Sequence, residues 1–360
     1  MNTKNKEKMK KIYLIIVCAV VSFSGCVEEI PIGFLSDNIR MREDTLNIVK
    51  GVYTVSGIPM IDGSTRPLSF EILKVRNLTK GGGADEFLTK YPVKLWRTPF
   101  DPDTDVTMEI VNEKIEIREI TPLEINPVSG QLCFNGGTNF IQGDDIYGVD
   151  VKVFNENSSK TFEKFGIVKL VNRPWEIANN FGEYLHGTVG TNTETVVEAV
   201  NPLPATEMDA LKNNTHPRYS ITKVGESDEV KVKLMFLDAN GQAFPGEAIA
   251  NWPRDAKYLN NWFDNSIDTK TLSDGVEFNF PTVPFPAFGR TYTGGRESIS
   301  LSYYTLHPNY YTLNAAAQAA IAKANVANCT NYNLRLKATY QINVPGVWEV
   351  KCQFKYANKK

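Results

Sequence analysis

The regular alternation of apolar and polar residues is the feature that most constrains the fold of this 360-residue chain. A period of two places apolar side chains on one face of a β-strand and polar side chains on the other. The pattern is clearest at residues 149–153, 230–236, 332–342 and 348–356. The last two segments flank a turn at 343–346, which predicts a hairpin whose second strand buries Cys352. The sequence therefore predicts an all-β protein.

Helical signals are few. Residues 314–328 are rich in alanine and contain no glycine or proline, and Asn314 is a suitable N-cap. Residues 175–185 predict a further turn or two of helix. Strands are thus expected to outnumber helices throughout the chain.

The length of the chain exceeds what one hydrophobic core usually serves, so we expect two domains. We predict a signal peptide at 1–25, a tether at 26–40, and two Ig-like β-sandwich domains at 41–173 and 174–360. The border is placed at Pro174, because proline restricts the residue before it and cannot donate a hydrogen bond to a sheet.

The first 25 residues have the outline of a signal peptide. Five lysines precede an uncharged run at 12–23, which is shorter than the about 20 apolar residues that span a membrane. Ser24-Gly25-Cys26 then resembles a bacterial lipobox, which predicts that Cys26 becomes the acylated first residue of the mature chain and holds it at the outer membrane. The alternative is an ordinary signal peptide with a chance cysteine.

Two acids follow this cysteine after Val27. Glu28 and Glu29 resemble the export signal that sends Bacteroidetes lipoproteins to the outer face of the outer membrane. We therefore expect the folded part of the protein to face the cell exterior.

The charge balance argues against nucleic acid as a partner. Without residues 1–25 the chain keeps 34 basic and 40 acidic side chains, a net charge of −6, whereas nucleic-acid binders are basic. The remaining cysteines, Cys133, Cys329 and Cys352, are odd in number and have no paired spacing. They predict neither a disulfide framework nor a zinc site, although a bridge from Cys352 to either of the others stays open.

Catalytic signatures are missing from the sequence. The three histidines are far apart, and the usual motifs of zinc proteases, α/β-hydrolases and nucleotide-binding loops do not occur. The glycine run at 81–83 leads into acidic residues and predicts a loop. We therefore predict a non-enzymatic protein without a cofactor. A glycoside hydrolase is the alternative, since its two carboxylates need no fixed spacing in sequence.

Asp101, Asp103 and Asp105 place three carboxylates at alternate positions, as a calcium loop does. The EF-hand pattern would also need glycine at its sixth position and glutamate at its twelfth, where the chain has Val106 and Asn112. A solvated turn is the prediction here, with a calcium site as the alternative.

Aromatic residues are the remaining candidates for function. Sugars stack their C–H faces on aromatic rings and offer hydroxyls to amides and carboxylates. Rings of this kind lie among polar residues in the second half of the chain, and we predict that they bind carbohydrate: Trp252, Trp262, Tyr303, Tyr304, Tyr310 and Tyr311. Packing in the core is the alternative, because large rings dominate ordinary cores.

Several stretches resemble a family of Bacteroidetes lipoproteins encoded beside SusC/SusD-like import pairs. They are "GFLSDNIRMREDTLNIVKGVYTVSG", "DGSTRPLSFEILKVRN", "VKVKLMFLDANGQ", "DGVEFNFPTVPFPAFG", "YYTLHPNYY" and "YQINVPGVWEVKCQF". The resemblance implies a SusE/SusF-like surface lipoprotein that binds polysaccharide as an accessory to a SusC/SusD-like importer. The alternative is an interaction subunit of an outer-membrane complex that has no glycan site.

Overall fold

The computed structural model describes residues 33–101, 103–177, 182–190, 193–200, 203–250, 263, 266–281, 304–337 and 340–360. Strands are far more extensive than helices in these ranges, and they form several sheets with a sandwich-like arrangement, so the predicted all-β fold is confirmed. None of the helices in these ranges is long and apolar enough to cross a membrane.

A first unit comprises residues 33–171. Its strands are β1 (Leu46–Val49), β2 (Thr54–Val55), β3 (Ser69–Asn77), β4 (Tyr91–Trp96), β5 (Ile115–Ile120), β6 (Leu123–Ile125), β7 (Leu132–Phe134), β8 (Ile146–Phe154) and β9 (Ser159–Val171). Its helices are α1 (Met108–Glu113) and two short 3-10 helices, Asp85–Phe87 and Gly136–Phe140. The strands form a four-stranded sheet in the order β1-β9-β8-β3, a three-stranded sheet β2-β7-β6 and a hairpin β4-β5.

The first core lies between the four-stranded and the three-stranded sheet. The predicted alternation at 149–153 holds, because Val149, Val151 and Val153 of β8 are buried. Asp150 between them is also buried, although the alternation predicts that it faces solvent. The Arg76 guanidinium donates to Oδ1 of its carboxylate at 2.6 Å, and the backbone N–H of Lys164 donates to the same oxygen at 2.9 Å. The ammonium of Lys74 lies 3.7 Å from Oδ2, so the buried charge is paired with two cations.

The segment that enters the first unit is packed rather than extended. Leu35 and Ile39 are buried in the core. The N–H of Ser36 donates to the hydroxyl of Ser64 at 3.0 Å, and its own hydroxyl donates to the carboxylate of Asp62 at 2.7 Å. Residues 33–40, predicted as part of a tether, therefore belong to the folded unit.

A second unit follows. Its strands are β10 (Trp175–Ile177), β11 (Gly182–Val189), β12 (Thr193–Val200), β13 (Tyr219–Gly225), β14 (Val230–Leu237), β15 (Asp268–Leu272), β16 (Gly275–Phe280), β17 (Tyr304–Leu306), β18 (Tyr311–Leu313), β19 (Cys329–Lys337), β20 (Tyr340–Ile342), β21 (Gly346–Gln353) and β22 (Ala357–Lys359). Its helices within the described residues are α2 (Ala205–Lys212), α3 (Glu247–Ala250), α4 (Ala315–Ala324) and the 3-10 helix Pro308–Tyr310.

Two sheets of the second unit pack face to face. One has the order β12-β11-β19-β17 and the other β13-β21-β14-β16-β15, while β10-β20 and β18-β22 form separate pairs. The ring of Phe236 in β14 meets that of Tyr304 in β17 edge-on, with 6.2 Å between centroids. The predicted burial of Cys352 in β21 is confirmed, as is the alternation along β14.

The predicted hairpin between residues 332–342 and 348–356 is wrong. Strand β19 pairs with β11 and β17, whereas β21 pairs with β13 and β14. The turn at 343–346 follows β20, which pairs with β10, and leads into β21 of the five-stranded sheet. Both strands alternate because each has one buried face, and this pattern does not specify which strands pair.

The two helical predictions have different outcomes. Helix α4 begins where expected, and the Asn314 side chain accepts a hydrogen bond from the N–H of Ala317 at 3.1 Å. Residues 175–185 are not helical where the structure describes them, since β10 and β11 occupy these positions and pair with β20 and β19. Tertiary pairing determines their conformation.

The buried residues of the described ranges form two clusters, one within residues 35–170 and one within 177–357. The exact border between domains at 173/174 stays a prediction.

Candidate functional site

An exposed pair of aromatic rings marks one end of the first unit. Tyr91 begins β4, and Phe140 ends the 3-10 helix Gly136–Phe140. Their rings are parallel, with 4.8 Å between centroids and 4° between planes. Phe140 is 45% exposed, and Tyr91 is half-buried beneath it. The pair therefore presents a flat aromatic surface to solvent.

The 3-10 helix holds Phe140 in place through its N-cap. The side-chain oxygen of Asn135 accepts from the N–H of Gly137 at 2.9 Å, and its amide donates to the carbonyl of Thr121 at 2.7 Å. A Cβ atom on Gly136 would lie 3.2 Å from Cγ1 of Val93 in β4. The small residue thus allows the helix to approach β4, and Phe140 meets Tyr91 as a result.

Asn139 directly precedes Phe140 in the 3-10 helix and contributes an amide group. Asn139 is exposed, and its side chain covers Gly51, where an added Cβ would lie 2.4 Å from its Nδ2. Gly51 has a φ of +81°, a conformation that glycine adopts readily, and its N–H donates to the hydroxyl of Thr138 at 2.8 Å. We call Tyr91, Asn139 and Phe140 the aromatic platform.

The platform combines an apolar ring face with hydrogen-bonding groups, which is the chemistry that a sugar ring requires. The charged group next to Gly51 is already engaged. The ammonium of Lys50 donates to the carbonyl of Ile141 at 2.9 Å and lies 3.6 Å from the carboxylate of Asp144. Such a surface can bind a neutral, flat ligand.

Two of the predicted carbohydrate-binding tyrosines are part of the second core. Tyr304 and Tyr311 are each 4% exposed. The hydroxyl of Tyr311 donates to the carbonyl of Tyr332 at 3.4 Å, and burial raises its pKa to about 12. The faces of both rings are covered by protein, so neither is open to a sugar. Burial of a large apolar area explains these positions better than ligand binding does.

Tyr310 is partly buried against the same core, and its ring lies edge-on to that of His307, with 5.8 Å between centroids. Other predicted residues lie outside the described residues, and their roles stay predictions: Cys26, Glu28, Glu29, Trp252, Trp262 and Tyr303.

The acidic turn at 101–105 is held by an internal cation. Asp105 is 1% exposed, and the Lys114 ammonium lies 2.6 Å from its Oδ1. Burial by itself would raise the pKa of Asp105, but hydrogen bonds from the Asp101 N–H and from Lys114 bring it below the usual value. Within the described ranges no group of three acidic, histidine or cysteine residues could hold a metal ion. The ammonium of Lys114 thus provides the positive charge next to Asp105 that a calcium ion would otherwise supply.

The described part of the chain contains no disulfide among Cys133, Cys329 and Cys352. The bridge that the sequence left open is therefore not formed.

Sequence reasoning missed the aromatic platform. Tyr91 and Phe140 are 49 positions apart, and neither lies in an aromatic-rich stretch. A usable signal is the segment 135–140, where an asparagine cap and two glycines precede Phe140. A large ring at the end of such a short polar turn has little local structure to bury it.

Comparisons with known proteins give two matches. The model of a family described as a domain of unknown function (DUF5007) matches residues 60–214, which include the whole platform. A solved structure of a SusE-like surface located polysaccharide binding protein from the Bacteroides thetaiotaomicron heparin utilisation locus is 8% identical, with a TM-score of 0.23. That match covers 86% of this chain and 52% of the other, so the chain spans about half the length of that protein. No curated protein matches.

Proposed function

We propose that this protein is a lipid-anchored lipoprotein of the outer-membrane surface that binds polysaccharide, as an accessory to a SusC/SusD-like importer. The observation that carries the proposal is the parallel stack of Tyr91 and Phe140 with an exposed outer face. Trp252, Trp262, Tyr303 and Tyr310 remain candidates for additional contacts.

The stack favours binding because the platform is already ordered. Tyr91 supports Phe140 from below, and the Asn135 cap fixes the helix that carries it. A rigid aromatic surface loses little conformational entropy when a ligand stacks on it, so more of the contact energy contributes to affinity. The amide of Asn139, the residue before Phe140, can donate to and accept from sugar hydroxyls.

The location and the importer partner are supported by the sequence. The lipobox-like Ser24-Gly25-Cys26 and the acids Glu28 and Glu29 favour anchorage on the outer face of the outer membrane. The resemblance to lipoproteins encoded beside SusC/SusD-like pairs supports the role in import.

Affinity electrophoresis of the mature chain through gels containing host, plant or fungal polysaccharides tests the proposal. We expect retardation by at least one polysaccharide. The same samples should release no reducing sugar, since release would favour the glycoside hydrolase. Unchanged migration in every gel would contradict a binding role.

A second candidate function is a protein contact without a glycan site. The β4-β5 hairpin favours it, because Ile117 is 68% exposed there. Co-purification with an importer pair that is lost in an Ile117→Asp variant, together with negative glycan gels, would support this alternative.

A further inference from the structure

Exposed apolar side chains lie at one end of the first unit. This is the end at which the chain, running from its N-terminus, joins the folded unit. The segment that begins at Gly33 runs beside residues 57–65: the N–H of Thr65 donates to the carbonyl of Phe34 at 2.8 Å, and Arg40 and Met60 exchange backbone hydrogen bonds of 3.2 and 2.8 Å. We define the entry patch as the exposed apolar residues at this end: Phe34, Ile58, Met60 and Val128.

Val128 belongs to this end through the pairing of β2 with β7. Ser56 follows β2 and pairs with Leu132 through its backbone N–H at 2.9 Å. The side-chain amide of Gln131 donates to the Ser56 carbonyl, also at 2.9 Å. The turn that contains Val128 therefore lies next to the segment that contains Ile58.

The aromatic platform lies at the opposite end of the same strands. Residues 135–140 follow β7, and Asn139 covers Gly51, which precedes β2. Strand β8 spans the two ends. It begins at Ile146, close to the platform, and the turn after Phe154 returns to the entry end, where Asn155 donates to the Thr65 carbonyl at 3.2 Å. Its nine residues place the two ends about 27 Å apart.

The length of chain before the entry patch limits how the unit can be oriented. If Cys26 carries the lipid anchor, seven peptide units separate it from Gly33, and they reach at most about 25 Å whatever their conformation. This reach is shorter than the distance between the two ends of the unit. The platform end therefore cannot face the membrane while the chain enters at the other end.

The chemistry of the entry end fits a lipid surface. Charged side chains of both signs are exposed around the apolar residues: Arg40, Arg42 and Arg66, and Asp37, Glu43 and Asp62. Apolar side chains can insert into the headgroup region of a membrane while the charged groups beside them stay hydrated. We infer that the entry patch lies on the bilayer that holds the anchor, which directs the aromatic platform away from the membrane and toward solvent. The inference rests on the lipid anchorage in the proposed function.

Fluorescence quenching by headgroup-proximal nitroxide lipids tests the inference. The lipidated full-length mature chain is reconstituted in vesicles of phosphatidylcholine and phosphatidylglycerol that contain the nitroxide lipid. Phe34→Trp is compared with Ile146→Trp, because the two positions are 37% and 38% exposed and lie at opposite ends. The signal of the parent chain, with its native tryptophans, is subtracted from both. Ile58→Trp provides a second probe of the entry patch if Phe34→Trp does not fold.

We expect quenching at position 34 or 58 to be several-fold stronger than at position 146. Equal quenching would overturn the inference, and so would failure of the chain to float with the vesicles, since the orientation depends on the anchor. The same variants should keep their retardation in polysaccharide gels. If the parent chain itself is not retarded in any polysaccharide gel, that result counts against the glycan-binding role and not against the orientation. Failure of the orientation and failure of glycan binding are therefore distinguishable.

Discussion

The carboxylate of Glu183 accepts a hydrogen bond of 2.6 Å from the guanidinium of Arg218, and this pair links the two large sheets of the second unit. Glu183 lies in β11 and is 1% exposed. It also accepts from the hydroxyl of Tyr219 at 3.1 Å and from the N–H of Lys355 at 2.9 Å. Both carboxylate oxygens are thus satisfied, as a buried charge requires.

Removing this carboxylate should destabilise the protein strongly. In Glu183→Ala, Arg218 and Tyr219 lose a buried partner, and breaking a buried pair in this way typically costs about 3 kcal/mol. Glu226→Ala is the matched control, because its bond to Lys223 is exposed and should contribute less than about 1 kcal/mol. Urea denaturation measures the free energy of unfolding of both variants, and an unchanged m-value shows that each change is one of stability. Similar midpoints for the two variants would show that the Glu183 network does not stabilise the fold.

The buried His216 should make the protein less stable as the pH falls from 7 to 5. Burial lowers the pKa of His216 below 6.5, and the nearby Arg218 lowers it further, while the hydrogen bond with Glu207 opposes this. His216 in the unfolded chain has its ordinary pKa and therefore takes up a proton at a higher pH than His216 in the folded chain. Between the two pKa values the unfolded chain binds more protons, so the free energy of unfolding decreases as the pH drops.

Unfolding curves of His216→Gln across this pH range test the point. The variant should show a weaker pH dependence than the parent chain, whereas His307→Gln should retain the dependence. If the free energy of unfolding depends on pH equally steeply in the parent chain and in His216→Gln, the prediction is contradicted.

Calcium should not stabilise the acidic turn at 101–105. Lys114 lies 2.6 Å from Asp105 and supplies the positive charge there. A calcium site with a Kd of about 10⁻⁴ M would add about 2.7 kcal/mol at a hundredfold excess of free ion. We expect no shift in Tm on addition of calcium chloride or of a chelator. An increase in Tm with calcium that is lost in Asp103→Asn would show that the turn binds the metal.

The sequence predicted burial better than it predicted pairing. The alternation along β14 and around Cys352 identified the buried faces correctly, because burial of one face is a local property of a strand. The same alternation in β19 and β21 suggested a hairpin, although the two strands lie in different sheets. Pairing depends on contacts that are distant in sequence, which a period of two does not record.

The candidate site shows the same limit. Tyr304 and Tyr311 lie in an aromatic-rich stretch, yet the core covers both rings. Tyr91 and Phe140 are isolated in sequence, and the packing of Gly136 against Val93 brings them together. Composition therefore indicates where rings are abundant, whereas exposure and stacking follow from tertiary contacts.

The central claim is that the aromatic platform binds polysaccharide, and the most direct test is the affinity of Phe140→Ala. Phe140 is about half exposed and lies outside the hydrophobic core clusters, so its removal should leave the protein folded. Loss of an aromatic contact of this kind typically costs about 2 kcal/mol of binding. Isothermal titration with the polysaccharide that most retards the parent chain should then show a Kd roughly thirtyfold higher. Val128→Ala, which shortens an exposed apolar side chain at the opposite end, should keep the parent Kd. Equal affinity in Phe140→Ala and Val128→Ala would contradict the account.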